Sequence, residues 1–360
     1  MWTKPYGRTG KNVSVISFGG MRFPEPANIA KSAELVLYAH AKGINYFDTA
    51  PYYCEDKSED IMGAAFKQMP RSSFYCSSKC GEADGAVFRA SIESSLKRLN
   101  VEQIDFFHIW CLVHPTDWEA RKKGGAVAAA LKAKEEGLIG HVVTSAHLNG
   151  TDIGKVVDEG TVEGLTIGYN ALNFPFRGEA LEAASRAKVG VVTMNPLGGG
   201  LIPNNAARLE FLKGPNDASV VEAALRFNVS QPAITSALVG FANTQQIDEA
   251  VSAVANFKPY PPQHIEQLKA HIRGSFDGFC TGCGYCLPCP SEVPIPRLME
   301  AFNCSLLDQG DASLLSRLSD HWGVGPDAAL ACTECGLCEG RCTQHLPIRD
   351  RLKHIGTLKQ

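Results

Sequence analysis

From residue 13 to about 257 the chain alternates short β-branched or apolar runs with helix-patterned stretches, the form that repeated strand and helix units give to a sequence. The expected strands read VSVISFGG (13–20), NYFDTA (45–50), FYCSSK (74–79), QIDFFHIW (103–110), IGHVVTSA (139–146), GLTIGYN (164–170), GVVTMNP (190–196) and ITSALVG (234–240). Between them lie helices with legible ends. Asp84 is a good N-cap for a helix whose Phe88, Ile92, Leu96 and Leu99 share one face, and Gly43 closes another. Eight such units in about 250 residues match a closed (β/α)8 TIM barrel, whose reactive groups gather where strands end. An open nucleotide-binding sheet would need a G-x-G-x-x-G turn after the first strand, but FGGMRFPEP supplies only Gly19 and Gly20. The segment KPYPPQH (258–264) cannot continue a helix, so it marks a boundary between residues 1–260 and a smaller unit, 261–360.

That smaller unit carries eight of the chain's thirteen cysteines in two runs, Cys280, Cys283, Cys286 and Cys289, then Cys332, Cys335, Cys338 and Cys342. Three thiolates at every third residue can cap three corners of an iron-sulfur cube, and a fourth ligand caps the last. Zinc is the bland alternative, but it usually takes two separated pairs rather than consecutive short spacings. Disulfides within a run fail on geometry, and no secretory signal is expected from the N-terminus. Gly282, Gly284 and Gly336 let the loops turn tightly, and Pro290 follows Cys289. The runs resemble those of two-cluster ferredoxins. That resemblance implies a small α-rich dicluster ferredoxin-like domain with two 4Fe-4S clusters and crossed ligation, Cys280, Cys283 and Cys286 with Cys342, and Cys332, Cys335 and Cys338 with Cys289. The first run has one residue fewer than usual before its last cysteine, and Thr343 stands where proline is usual.

A net charge of −3 gives no basic footprint for nucleic acid, and no apolar run approaches the roughly 18 residues of a membrane span. A cytoplasmic location is the expectation. Cys54, Cys76, Cys80, Cys111 and Cys304 are scattered and read as small buried apolar residues.

Asp48 ends the second strand, Tyr53 follows in the next loop and Lys79 ends the third strand, so all three should project at one mouth. A lysine beside a tyrosine hydroxyl favours phenolate, and an aspartate keeps that lysine charged, so the trio reads as a proton relay. A structural ion pair is the equally simple reading. YGRTGKNVSVISFGGM, NYFDTAPYYCEDKSEDIMGAAFK and LRFNVSQPAITSALVGFANTQQIDEA then resemble the opening hairpin, the aspartate-tyrosine segment and the closing strand and helix of aldo-keto reductases. With the cysteine tail included, the chain resembles the iron-sulfur, ferredoxin-tailed branch of that family.

The resemblance implies Asp48, Tyr53 and Lys79 as three of the family's four catalytic residues. It puts Trp110 where the family has a histidine that hydrogen-bonds the substrate. An indole N–H donates but cannot pass a proton as imidazole does. His108 lies deeper on the same strand face and reads as a core histidine or a catalytic one, while His114 reads as a solvated loop residue or a substitute. The resemblance also places a nucleotide, NADP or NAD, on Gly20 and Met21, on Ser145 and Thr166, on Met194, Pro196, Leu197 and Gly198, and on Gly240 and Gln246. No Lys or Arg occurs from Val239 to Gln246, so charge recognition of a 2′-phosphate is not legible there. The implied activity is NAD(P)-dependent reduction of a small carbonyl or oxidation of an alcohol, with the clusters for electron transfer and a redox partner protein. The alternative is an electron-transfer or redox-sensing protein whose barrel binds nucleotide without turnover. Nicotinamide moves two electrons and each cluster one, and no flavin site is legible.

Overall fold

A computed structural model describes residues 1–148, 150–174, 177–255, 258–272, 278–280, 282–308 and 310–359. β1 (Thr3–Pro5) and β2 (Asn12–Ser14) form an antiparallel hairpin. β3 (Ile16–Gly19), β4 (Tyr46–Asp48), β5 (Tyr75–Cys80), β6 (Ile104–Leu112), β7 (Ile139–Ala146), β8 (Gly164–Gly168), β9 (Gly190–Met194) and β10 (Ser236–Val239) follow. These eight close into a parallel barrel in which each strand pairs with the next and β10 pairs with β3. Each expected strand run forms a barrel strand. The first is divided: Val13 and Ser14 belong to the hairpin, where Asn45 Oδ1 accepts the Ser14 N–H at 2.8 Å, and only 16–19 enter the barrel.

The hairpin closes the barrel floor. Tyr6, Val13, Tyr46, Phe106, Val143 and Val192 make a separate apolar cluster there. Tyr6 lies so close to β8 and β9 that a side chain at Gly164 or Gly190 would run into its ring. With the floor sealed by apolar contact, polar chemistry is left to the opposite end, where the strands finish.

The Asp84 cap forms as expected, its Oδ1 accepting the N–H of Ala86 and Val87 at 2.9 Å each, and Phe88, Ile92 and Leu99 are buried. Helix Pro262–Ile272 buries Leu268 and Ile272 in the main core. Beyond it, helices Ile295–Asp308 and Ile348–Thr357 pack around a second apolar core that includes Leu298, Met299, Leu314, Leu318, Leu352 and Ile355. No described helix is long and apolar enough to cross a membrane.

Candidate active site

Asp48 ends β4, and Ser77 and Lys79, two apart on β5, share the face turned toward it. Lys79 Nζ lies 2.6 Å from each Asp48 carboxylate oxygen and 2.7 Å from the Thr49 carbonyl oxygen, so its three N–H donors are spent. Ser77 donates to Asp48 Oδ1 at 2.7 Å, and His108 Nε2 lies 3.1 Å from Ser77 Oγ. Because the Ser77 proton is spent on Asp48, His108 must donate from Nε2. Burial first, then Lys79, holds His108 well below the ordinary imidazole value, so it stays neutral. Burial also draws Lys79 down while Asp48 opposes that. Both side chains of the ion pair are only 4% exposed.

Tyr53 opens a turn in which Tyr52, Cys54, Glu55 and Asp56 all have positive φ, at 69°, 53°, 55° and 61°. Left-handed backbone costs about 1–2 kcal/mol per non-glycine residue, so something must hold it. Arg98 does, bonding the Asp56 carboxylate at 2.7 Å as well as its carbonyl oxygen, and Ser58 Oγ donates to the Gly20 carbonyl at 2.7 Å. The turn sets the Tyr53 ring 5.5 Å from Lys79 Nζ and edge-on to Trp110, with ring centroids 5.7 Å apart. Trp110 is brought there by a bulge between Ile109 and Leu112, where Cys111 has φ 60° and gives its N–H to Ser145 Oγ at 2.9 Å.

Burial first, then Tyr285, Asp48 and Cys111, hold Tyr53 well above the ordinary phenol value. This departs from the relay expected of Lys79. The lysine's donors are all committed to Asp48 and Thr49, and none is left for the Tyr53 hydroxyl.

The tail comes close to Tyr53 instead. Tyr285, between Cys283 and Cys286, is an electrostatic neighbour of both Tyr53 and Cys111. Its ring meets His147 edge-on at 6.3 Å, His345 Nε2 lies 3.2 Å from the His147 carbonyl oxygen, and His114 Nε2 lies 2.5 Å from that of Gly340. His114 is therefore a pin between barrel and tail, and His108 a buried polar neighbour of Asp48. No local signal marks Tyr285, which lies inside a run patterned by its thiolates. Ser77 could have been found from its strand spacing to Lys79.

The residues expected to hold nucleotide lie around the same mouth, in different states. Gly20 is a packing glycine: its N–H donates to the Asp48 carbonyl at 2.8 Å, and a Cβ there would meet Met62 Cε at 3.0 Å. Met21 is 37% exposed. Thr166 Oγ1 is buried without a partner among the described residues. Met194 ends β9 half-buried, and Pro196 and Leu197 lead into Gly198, Gly199 and Gly200, whose φ of 64°, 70° and 103° suit glycine alone. Gly240 lies against Arg22, whose Cβ and Cγ would sit 3.1 Å from a Cβ added there. Gln246 closes its own helix start, with Oε1 accepting the Ala242 N–H at 2.8 Å. Arg22 is thus a cation beside the closing strand that a search of residues 239–246 misses.

All thirteen cysteines are free thiols. Burial first, then Cys283, Cys342 and Cys286, raises Cys280 to about 12, and Cys286 reaches about 12 through burial and then Cys283 and Cys342. Those four thiols are therefore electrostatic neighbours. Five cysteines, Cys286, Cys289, Cys332, Cys335 and Cys338, line one cavity. Among the described residues no three His, Cys, Asp or Glu side chains are gathered as a site for a single metal ion.

A family model described as the aldo/keto reductase family matches residues 15–273, ending short of the first tail cysteine. L-galactose dehydrogenase of Arabidopsis thaliana is 29% identical over 283 residues, 70% of this chain and 88% of that protein. The NADH-specific methylglyoxal reductase of Escherichia coli is 28% identical over 196 residues, 49% of this chain and 59% of that one. Among solved structures, the holo form of an aldo-keto reductase from Bacillus halodurans superposes with a TM-score of 0.65 at 21% identity, covering 74% of this chain and 96% of that one. With its closed barrel, its buried Asp48–Lys79 pair and a family match over most of its length, this chain belongs to the aldo/keto reductase family.

Proposed function

We propose that the protein is an NAD(P)-dependent oxidoreductase that reduces a small carbonyl, or oxidises the matching alcohol, at the mouth formed by Asp48, Tyr53 and Lys79. The observation that carries this is the dry Asp48–Lys79 pair set directly beside a half-buried tyrosine at the strand ends. When bound, the nicotinamide supplies hydride to the carbonyl carbon. Tyr53 supplies the proton to the oxygen, and a phenol held above its ordinary value is protonated and ready to give it. Asp48 and Thr49 fix Lys79, whose positive charge favours the phenolate left behind. The glycine loop 198–200 permits close approach of a pyrophosphate, the unpartnered Thr166 hydroxyl suits a carboxamide, and Ser145, Met194 and Gly240 complete the cradle. Arg22 beside Gly240 leaves charge recognition of a 2′-phosphate open to this chain. The names of the relatives direct the substrate search to sugars and to α-oxoaldehydes.

The tail, residues 261–360, we read as a ferredoxin-like unit for two 4Fe-4S clusters. The neighbourhood of Cys280, Cys283, Cys286 and Cys342, and the cavity that Cys289, Cys332, Cys335 and Cys338 share with Cys286, support the crossed assignment. Positive φ at Gly282, Gly284 and Gly336 bends both loops around those thiols. The clusters would supply one-electron chemistry. Oxidation of NADPH or NADH, followed with a panel of sugars, aldehydes and α-oxoaldehydes, tests the activity; no substrate-dependent oxidation contradicts it. Iron and sulfide analysis tests the tail separately, with about eight irons per chain expected. A colourless, iron-free protein after anaerobic reconstitution contradicts the cluster assignment and leaves the reductase reading standing.

A further inference from the structure

We propose that Arg98, at the end of helix Gly85–Leu99, is a positioning residue for Tyr53: through Asp56 it holds the turn that sets the phenol against Lys79. This rests on the reductase reading of the mouth. Four residues of that turn, Tyr52, Cys54, Glu55 and Asp56, take the left-handed backbone that side chains disfavour, and none of them is glycine. Such a turn relaxes unless its neighbours enforce it. Tyr53 has no strand or long helix of its own for support, since the helical turn that contains it ends at Asp56. Its ring contacts, 5.5 Å to Lys79 Nζ and 5.7 Å to the Trp110 ring, set its direction only loosely. The backbone of the turn therefore decides where the hydroxyl lies.

Arg98 supplies the enforcement. Its Nη1 donates to Asp56 Oδ1 at 2.7 Å, its Nη2 donates to the Asp56 carbonyl oxygen, and the same Oδ1 accepts the Tyr52 N–H at 3.1 Å. One carboxylate oxygen thus ties the residue before Tyr53 to the guanidinium. The rest of the fork is fixed by helix Ser58–Phe66: Asp60 accepts from Nε at 3.1 Å and from Nη2 at 3.0 Å, and Glu59 lies 3.3 Å from Nη1. The arginine's backbone is fixed as well, because a side chain at Gly63 would run into the Arg98 carbonyl oxygen and the two helices meet without a gap. Lys79 is held by Asp48 and Thr49, outside this network. The phenol and the ammonium of one site thus depend on separate sets of bonds. Cutting the Arg98 set moves Tyr53 away from a lysine that stays in place.

The test uses the full-length, cluster-loaded protein and whichever aldehyde of the panel it turns over fastest. Hydrogen-deuterium exchange of the segment Tyr52–Lys57, read by mass spectrometry without substrate, reports the turn, while kcat and KM report the chemistry. The Tyr52 N–H bonds Asp56 and the Lys57 N–H bonds the Tyr53 carbonyl, so both amides sense the clamp. In Arg98→Ala we expect their exchange to be about tenfold faster and kcat about 30–100-fold lower, with KM and nucleotide affinity nearly unchanged. Guanidinium ion at tens of millimolar should recover kcat and slow the exchange again, whereas a fold merely weakened by the substitution gains nothing from a denaturant. If Arg98→Ala does not fold, Asp56→Ala decides, since that carboxylate is 55% exposed and its loss strands no buried charge. The same losses are expected there, and Asp56→Asn, which keeps an accepting oxygen, should recover them. Wild-type kcat in these variants, or a loss that neither guanidinium nor Asp56→Asn recovers, overturns the proposal and leaves the reductase reading standing. Faster, rescuable exchange in a protein without any turnover refutes the reductase reading and keeps the clamp; unchanged exchange without turnover refutes both.

Discussion

The two ends of the barrel are built from the same eight strands and could hardly differ more. The floor is closed by Tyr6, Tyr46 and Phe106 among valines, with glycines where the Tyr6 ring needs room. The mouth holds a buried ion pair, a neutral histidine, a run of left-handed residues around Tyr53 and an aromatic group borrowed from the tail. Apolar packing is the low-cost way to end a barrel, and the floor takes it. The mouth keeps buried charge and strained backbone, which a fold retains only where neighbours enforce them, and such concentrations mark function.

Substitutions can break this contrast in order of severity. Lys79→Met strands the Asp48 carboxylate in a dry site, so about 3–5 kcal/mol of stability should be lost along with turnover; a denaturant melt within 1 kcal/mol of wild type, the scale of an exposed ion pair, would show that the pair is solvated after all. Tyr53→Phe should leave the fold in place and cut carbonyl reduction by about 10²–10⁴ with nucleotide affinity nearly unchanged, read by steady-state kinetics and nucleotide titration. At the floor the pattern inverts. Gly190→Ala places a methyl within 2.7 Å of Tyr6 Cε1 and should cost about 1–3 kcal/mol of stability with kcat unaffected; a loss of kcat there would mean the two ends are coupled.

The smallest effect is a pH dependence at the seam between barrel and tail. Burial first, then Arg177 and His345, lowers His147 from 6.5 to about 3. A group held neutral in the fold contributes stability that is complete above pH 6.5 and is lost as the pH falls toward 3. Melting temperature should therefore fall more steeply in wild type than in His147→Asn between pH 6.5 and 4. Parallel curves would place that imidazole in water.

Strand and helix periods made the barrel legible, because apolar runs of strand length between amphipathic helices admit few folds. Asp48, Tyr53 and Lys79 were legible for the same reason, since position at a strand end fixes which way a side chain can look. What stayed hidden depended on contacts between segments distant in the chain. Tyr285 reaches Tyr53 across more than two hundred residues, and no local pattern announces that. The direction of the Lys79 donors was equally invisible, because the Thr49 carbonyl that takes one of them is backbone and carries no letter in a motif. Arg22 became visible only when the barrel closed and laid the loop after β3 beside the end of β10.

The central claim is that hydride arriving at the mouth meets a proton from Tyr53. Its most direct test is single-turnover oxidation of 4-deuterated reduced nucleotide against the substrate panel, comparing wild type with Tyr53→Phe. The account predicts carbonyl-dependent oxidation with a primary deuterium isotope effect in the wild type and a rate at least about 10² lower in the variant. Equal rates in the two proteins, or no carbonyl-dependent oxidation in either, would contradict it.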